Sequence, residues 1–164
     1  MTAGRGGVAH LVGTDMTSRH GVRLGVDVGS VRVGVAISDR HGILATPVST
    51  VTRDVGGAAD LAEIAALVTE HEVVEVVVGL PRTLRGTDGA AVTAARGFGD
   101  ALADRIAPVP VVYIDERLTT VTAHRQLAQT GVRSRDRRAV VDQAAAVQIL
   151  QSRLDALARQ AGRP

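Results

Sequence analysis

Residues 24–36 read Leu24-Gly25-Val26-Asp27-Val28-Gly29-Ser30-Val31-Arg32-Val33-Gly34-Val35-Ala36, and this stretch decides the fold. Two short runs rich in Val and Ile, Arg23 to Asp27 and Arg32 to Ser38, meet at Gly29-Ser30, the pattern of a β-hairpin. A third strand is expected over Thr46 to Val51, where Pro47 marks an edge or a strand start because proline has no N–H for the ladder. The period then changes. Leu61, Ile64, Ala65 and Val68 recur at the spacing of an amphipathic helix. Val73 to Val78 is a continuous apolar run broken only by Glu75, as in a strand buried on both faces.

Further on, a loop from Gly79 to Gly86 leads to a helix start at Thr87-Asp88, and an Ala-rich helix runs to Ile106 with Gly97 and Gly99 weakening its middle. Val109 to Ile114 reads as a strand, and Thr119 or Thr120 can cap a helix that stops at Gly131. A basic loop follows, then a final helix from Arg138 to Arg159 striped by Val147, Leu150, Leu154 and Leu157. Strands joined by short turns pair antiparallel, whereas strands reached by helical crossovers pair in parallel. The expected architecture is one α/β domain over residues 22–160, a mixed five-stranded sheet (three antiparallel strands, then two parallel) flanked by helices. Residues 1–21, glycine-rich and aperiodic, are expected to form a flexible tail.

The 164 residues are 45% hydrophobic and 22% charged, the proportions of a globular domain. No apolar run approaches the ~18 residues that span a bilayer, so no membrane partner is expected. The chain has no Cys, which excludes disulfide scaffolds, zinc–thiolate sites and thiol nucleophiles and suits a reducing cytoplasm. Phe98 and Tyr113 are the only Phe, Tyr or Trp residues, too few for a base-stacking platform.

All 19 basic residues are Arg, against 17 acidic ones; the net charge is +2, yet the isoelectric point is about 10.3. The high value reflects missing Lys: once the α-amino group has titrated, only Tyr113, near pH 10, can remove the last positive unit. The useful charge is local. Arg133-Ser134-Arg135-Asp136-Arg137-Arg138 carries +3, leaving the other 158 residues at −1. Arg forks fit phosphate oxygens and position a nucleic-acid backbone without reading its sequence; a solvated surface loop is the plain alternative. Arg82 and Arg85 are a second candidate contact.

Three carboxylates stand out. Asp27 lies at the carboxyl end of an apolar strand, where burial of an uncompensated charge costs several kcal/mol. A metal ion would offset that cost; a turn Asp capping the hairpin is the alternative. Asp115-Glu116-Arg117 follows the strand ending at Ile114, and ligand sites in α/β sheets favour such ends. Alternation points the two carboxylates in opposite directions, so one of them can face Asp27, and spacing does not say which. Asp142 shares a helix face with Ala145, Ala146 and Ile149, small enough for the helix to lie close on the sheet. An exposed Asp in a first helical turn is the alternative. Carboxylates without His or Cys nearby suit Mg²⁺ or Mn²⁺, and two such ions ~4 Å apart can activate a water and stabilise the leaving oxygen of a phosphodiester. His41, His71 and His124 have no ligand spacing, and no Ser–His–Asp arrangement or Walker loop is present.

Gly25 to Ala36, Val78-Gly79-Leu80-Pro81, Asp115-Glu116-Arg117-Leu118-Thr119-Thr120, and Asp142-Gln143-Ala144-Ala145-Ala146 with Ile149-Leu150-Gln151 resemble, in order, the motifs of the YqgF (RuvX) family. That family is similar to ribonuclease H in fold. It is described as a Holliday junction resolvase and as the nuclease maturing the 5′ end of pre-16S rRNA. The resemblance implies a ribonuclease H-like sheet with Asp27, Glu116 and Asp142 as an acidic triad holding one or two Mg²⁺ or Mn²⁺ ions. It thereby chooses Glu116 over Asp115. It implies phosphodiester hydrolysis in structured nucleic acid, leaving a 5′-phosphate and a 3′-hydroxyl. Arg32, Arg82, Arg117, Arg133, Arg135, Arg137 and Arg138 are then the nucleic-acid-binding candidates. Val31, Thr83 and Arg85 depart from the family's usual residues there, which touches substrate contacts and leaves the triad intact.

Precursor rRNA is the expected substrate. Branched DNA is the alternative, and two symmetric cuts in it would call for a homodimer. The Asp-x-Gly-Ser opening also resembles the first phosphate motif of actin-like ATPases and sugar kinases, but those use two such domains and this chain has room for one. A non-catalytic nucleic-acid- or protein-binding module is the remaining alternative.

Overall fold

The hairpin forms where the alternation places it: β1 (Arg23–Val28) and β2 (Arg32–Ser38) pair antiparallel, with Asp27 opposite Gly34. The computed structural model describes residues 20–81, 89–116 and 135–162, without the side chains of 135–137. β3 (Ala45–Thr52) adds antiparallel on the outer side of β2. Pro47 sits on this edge strand beside a register shift, a position that tolerates a missing N–H. α1 (Ala59–Glu70) leads to β4 (Glu75–Leu80), parallel to β1, and α2 (Gly89–Ile106) leads to β5 (Val111–Asp115), parallel to β4. The strand order is β3-β2-β1-β4-β5, the mixed sheet expected from the sequence. α3 (Arg135–Ala161) lies across one face of it.

Alternation divides the sheet into two faces. On one, Leu24, Val26, Val33, Val35, Val76 and Val78 meet the stripes of α1 and α2, with Ile64, Val68, Phe98 and Leu102 among the buried partners. On the other, Ala36 and Val77 meet Ala145, Ala146, Ile149, Leu150 and Leu154 of α3. Each fully buried Val or Leu contributes about 1.5–3 kcal/mol relative to an exposed one, so the stripe of α3 anchors it firmly. Glycine brings the helix closer still. A Cβ on Gly25 would come 2.7 Å from the Ala146 carbonyl oxygen, and one on Gly34 would collide with the Asp142 backbone carbonyl. Glycine inside a strand weakens it, and here it lets a helix backbone rest on the sheet.

Glu75, the break in the apolar run, is 3% exposed and on the α3 face. It accepts bonds from Arg23 Nε at 3.2 Å and from Arg153 Nε and NH2 at 3.0 and 2.8 Å. The forked Arg153 contact compensates the buried carboxylate and fastens the C-terminal half of α3 to β4.

Element boundaries differ from expectation for local reasons. β4 begins at Glu75 because the Val73 N–H closes the end of α1 on Val68 O, and it extends to Leu80 because Gly79 and Leu80 still pair with β5. α3 begins at Arg135, three residues before the expected start, so part of the basic segment is helical. The expected helix from Thr119 to Gly131 lies outside the described residues, as do residues 1–19 of the expected tail; at its end the Gly21 N–H donates to Arg40 O at 2.8 Å.

Gly97 and Gly99 are not equivalent. A Cβ on Gly99 would come 2.6 Å from the Tyr113 ring, whereas Gly97 has nothing within 4 Å. Tyr113 cannot easily yield, since its hydroxyl donates to the Asp100 carboxylate and the Arg96 guanidinium stacks 4.7 Å above its ring. Burial, and then the Asp100 hydrogen bond, push the phenol up to about 12, so the folded chain stays cationic to higher pH than the sequence alone suggests. Gly97→Ala is expected to raise stability by about 0.5–1 kcal/mol and Gly99→Ala to lower it by about 1–3 kcal/mol, measured by urea unfolding followed by circular dichroism.

Candidate active site

Asp27, the fifth residue of β1, faces α3 and is 2% exposed. A glycine flanks it on each neighbouring strand. Gly34, its partner on β2, is where the Asp142 backbone rests. On the other side, Val26 pairs with Val78, so one step along the parallel ladder brings Gly79 beside Asp27. A Cβ on Gly79 would lie 2.7 Å from Glu116 Oε1. The two glycines thus leave space beside Asp27, filled on one side by the Glu116 carboxylate and on the other by the Asp142 backbone. Their role was not legible as function; the available signal was glycine inside strands.

The choice between Asp115 and Glu116 is made by packing. Val112 and Ile114 pack toward α3, while Val111 and Tyr113 enter the opposite core. Directly after β5, Glu116 continues the α3-facing series, and Asp115 shares the parity of Tyr113. Glu116 is 1% exposed. Burial first, and the neighbouring Asp115 charge second, push its carboxyl up to about 7.

Asp142 sits in the third turn of α3, since the helix begins at Arg135, and it is therefore not an N-terminal dipole partner. Ala145, Ala146 and Ile149 on its face are buried against the sheet, as expected. Its carboxylate, 26% exposed, accepts a bond from Arg32 Nε at 3.1 Å. Gln143 Nε2 donates to Thr50 Oγ1 at 2.9 Å, which pins this part of the helix to β3.

Arg53 escaped sequence reasoning because an Arg at a strand end reads as a solvated charge. Its NH1 donates to Gly29 O at 3.2 Å, its backbone N–H to Val31 O at 2.9 Å, and its Nε to buried Asp60 at 3.1 Å. The guanidinium also stacks 5.1 Å from the Phe98 ring centroid. Arg53 therefore braces the β1–β2 turn next to Asp27. Of the other arginine candidates, Arg138 is exposed on α3, and Arg135 and Arg137 lie in its first turn with side chains outside the description. Arg82, Arg117 and Arg133 lie outside the described residues, as do Arg85 and His124. His41 and His71, with His20, gather at the opposite end of the sheet.

An all-oxygen set containing two buried carboxylates suits a hard divalent cation, and Gly34 and Gly79 keep side chains out of the space between the donors. Among the described residues, no three Asp, Glu or His groups form a finished ion cage, and Asp142 is turned to Arg32. The donor chemistry fits, and Asp142 is held by Arg32 in the described structure.

Residues 21–156 match the family model described as RuvX: Holliday junction resolvase. This chain belongs to the RuvX family. Relatives named "Putative pre-16S rRNA nuclease" include one from Frankia casuarinae, 61% identical over 82% of this RuvX chain and 66% of the relative. Another, from Mycobacteroides abscessus, is 58% identical over 82% of this chain and 81% of its own. A third, from Mycolicibacterium paratuberculosis, is 58% identical over 90% of each. Among solved structures, Thermus thermophilus RuvC in complex with a Holliday junction substrate superposes with a TM-score of 0.52 at 17% identity, over 87% of this chain and 97% of that one. This RuvX chain thus has the RuvC-like ribonuclease H fold.

Two outcomes follow from the geometry. Gly79→Ala would crowd side-chain atoms of Ile149 and Glu116 Oε1, so it is expected to cost about 1–2 kcal/mol while displacing the carboxylate; Gly34→Ala would meet helix backbone and is expected to cost at least about 2–3 kcal/mol, both read by urea unfolding. In EDTA, the folded state holds the Glu116 proton more tightly than the unfolded chain between pH 4.5 and about 7. Stability from this group is therefore full below pH 4.5 and falls, on the order of 2 kcal/mol, as pH rises to 7. Glu116→Gln is expected to flatten that part of the stability–pH profile.

Proposed function

We propose that this chain is a divalent-metal-dependent endonuclease that hydrolyses phosphodiester bonds in structured nucleic acid, with precursor 16S rRNA as its substrate. The observation that carries the reading is that Asp27 on β1 and Glu116 after β5, both buried and separated by β4 at Gly79, share one face of the sheet with Asp142, whose helix rests on Gly34. The rRNA substrate is supported by the names of relatives 58–61% identical to it.

Asp27, Glu116 and Asp142 would hold one or two Mg²⁺ or Mn²⁺ ions. The chemistry such a cation would supply, if held by these carboxylates, is to offset phosphate charge, lower the pKa of the attacking water and stabilise the leaving 3′-oxygen. The products would carry a 5′-phosphate and a 3′-hydroxyl. The chain's own part is positioning. Asp27 and Glu116 project from rigid strand ends, and their burial keeps bulk water from screening the charges they hold. Arg32, Arg82, Arg117, Arg133, Arg135, Arg137 and Arg138 would bind the nucleic-acid backbone. Three of these, Arg135, Arg137 and Arg138, fall in the first turn of α3, where positive charge opposes the helix dipole by a few tenths of a kcal/mol; a bound polyanion reverses that cost. No described helix is long and apolar enough to cross a membrane, and a cytoplasmic place of action belongs to this proposal.

The family's own description favours a second reading, a Holliday junction resolvase, which would work as a homodimer making two symmetric cuts. Cleavage of a pre-16S rRNA fragment and of a four-way DNA junction, side by side in Mg²⁺ and in EDTA, tests both. The rRNA fragment is expected to be cut in Mg²⁺ alone, with Asp27→Asn, Glu116→Gln and Asp142→Asn each slower by about a hundredfold or more. Wild-type rates in Asp27→Asn would overturn the mechanism. Preferential junction cutting by a dimer, seen by light scattering, would favour the resolvase.

A further inference from the structure

Arg32 and Asp142 form an ion pair that the proposed reaction does not use in the form observed. Arg32 opens β2 two residues before Gly34, so the alternation that lays Gly34 under α3 also puts Arg32 on that face. Its Nε reaches Asp142 Oδ2 at 3.1 Å across 110 residues of sequence, and the two side chains are 22% and 26% exposed. A second described pair between α3 and the sheet is different in kind: Glu75 is 3% exposed and gripped by two nitrogens of Arg153. That contact is sealed and forked, whereas Arg32–Asp142 is open and rests on one bond.

α3 does not need Arg32 to stay in place. Ala146, Ile149, Leu150 and Leu154 are buried beneath it, Arg153 holds Glu75, and Gln151 donates to Ile43 O and accepts from the Ala45 N–H. A partly exposed pair adds little to such an anchorage. What the pair does is occupy a carboxylate oxygen on the residue that would complete the cation site, and among the described residues Asp142 is the one carboxylate paired with Arg32.

We propose, on the metal-site reading given above, that Arg32 is an exchangeable counter-ion for the site. In the cation-free protein its guanidinium holds Asp142 and supplies positive charge beside the carboxylates. A divalent cation competes for the same oxygen and repels the guanidinium, which then turns outward to a phosphate oxygen of the nucleic acid. Cation binding and nucleic-acid binding are thereby coupled through one side chain, and each strengthens the other. Guanidinium suits both partners because its planar fork matches carboxylate and phosphate alike.

The direction of one measurement separates this role from a structural one. If Arg32 competes with the cation, its loss tightens cation binding; if it merely orients Asp142, its loss weakens it. Mn²⁺ binding, followed by the electron paramagnetic resonance signal of free Mn²⁺, is compared among the wild type, Arg32→Gln, Arg32→Lys and Asp27→Asn. Arg32→Gln is expected to bind Mn²⁺ about three- to tenfold more tightly, with Arg32→Lys shifted the same way but less. Asp27→Asn is expected to lose the site. In the second arm, anisotropy of a labelled pre-16S rRNA fragment is read in EDTA and in Ca²⁺. The wild type is expected to gain affinity on adding Ca²⁺, and Arg32→Gln to lose about threefold or more of that gain.

Unchanged or weaker Mn²⁺ binding in Arg32→Gln, with wild-type binding that depends on Asp27, overturns the counter-ion role and leaves the metal site standing. Absence of Mn²⁺ binding by the wild type overturns the metal site and the counter-ion role together. Should Arg32→Gln fail to fold by circular dichroism, the direction of the Arg32→Lys shift decides in the same way.

Discussion

The contact on which the rest depends is the close seating of α3 on the sheet, backbone against Gly25 and Gly34 and the Ile149 side chain against Gly79. Helix–sheet packing is ordinarily spaced by side chains on both sides; here one side has been reduced to hydrogen. The Asp142 carbonyl, the Ala146 carbonyl and the Ile149 side chain occupy the positions where strand side chains would stand. Strand stability is lowered at those three positions, and the buried stripe of α3 together with the Arg153–Glu75 fork offsets the loss. In return, the helix segment bearing Asp142 lies directly on the sheet face to which Asp27 and Glu116 belong.

Charge is handled by the same economy of position. The chain as a whole is nearly neutral, yet acidic groups are buried on one face and arginines answer them at each end: Arg32 at Asp142, Arg23 and Arg153 at Glu75. Arg53 serves a further purpose, tying the β1–β2 turn to Asp60 at the start of α1 and to Phe98 on α2, so the loop beside Asp27 is braced by both helices of the opposite layer. The isoelectric point reports none of this. It reflects a missing Lys population and one tyrosine whose folded environment holds its proton to about pH 12.

Much of this was legible in the chain. Alternation over residues 23–38, the stripe beginning at Leu61 and the apolar run around Val76 are local signals, because the periods of strand and helix are properties of the backbone itself. They yielded the mixed sheet of three antiparallel and two parallel strands; the order β3-β2-β1-β4-β5 came from the structure. The small face carrying Asp142, Ala145, Ala146 and Ile149 correctly announced a close helix, and the four motifs announced the family. Boundaries drifted by two or three residues where a backbone N–H was claimed by another partner, as at Val73.

By itself, then, the sequence determined the elements, their parity and the candidates Asp27, Asp142 and one of Asp115 and Glu116, since these follow from residue type and spacing along one chain. Tertiary structure decided which face of β5 turns to α3, and so supplied the physical ground for the choice of Glu116 over Asp115 that the motif resemblance implied. It alone matched Arg32 to Asp142 and Arg53 to the turn, and it alone gave Gly34 and Gly79 their meaning as spaces between carboxylates. The reason is physical: parity fixes two side chains as opposite but not which is inward. That choice belongs to the packing of residues distant in the chain, which no local period encodes.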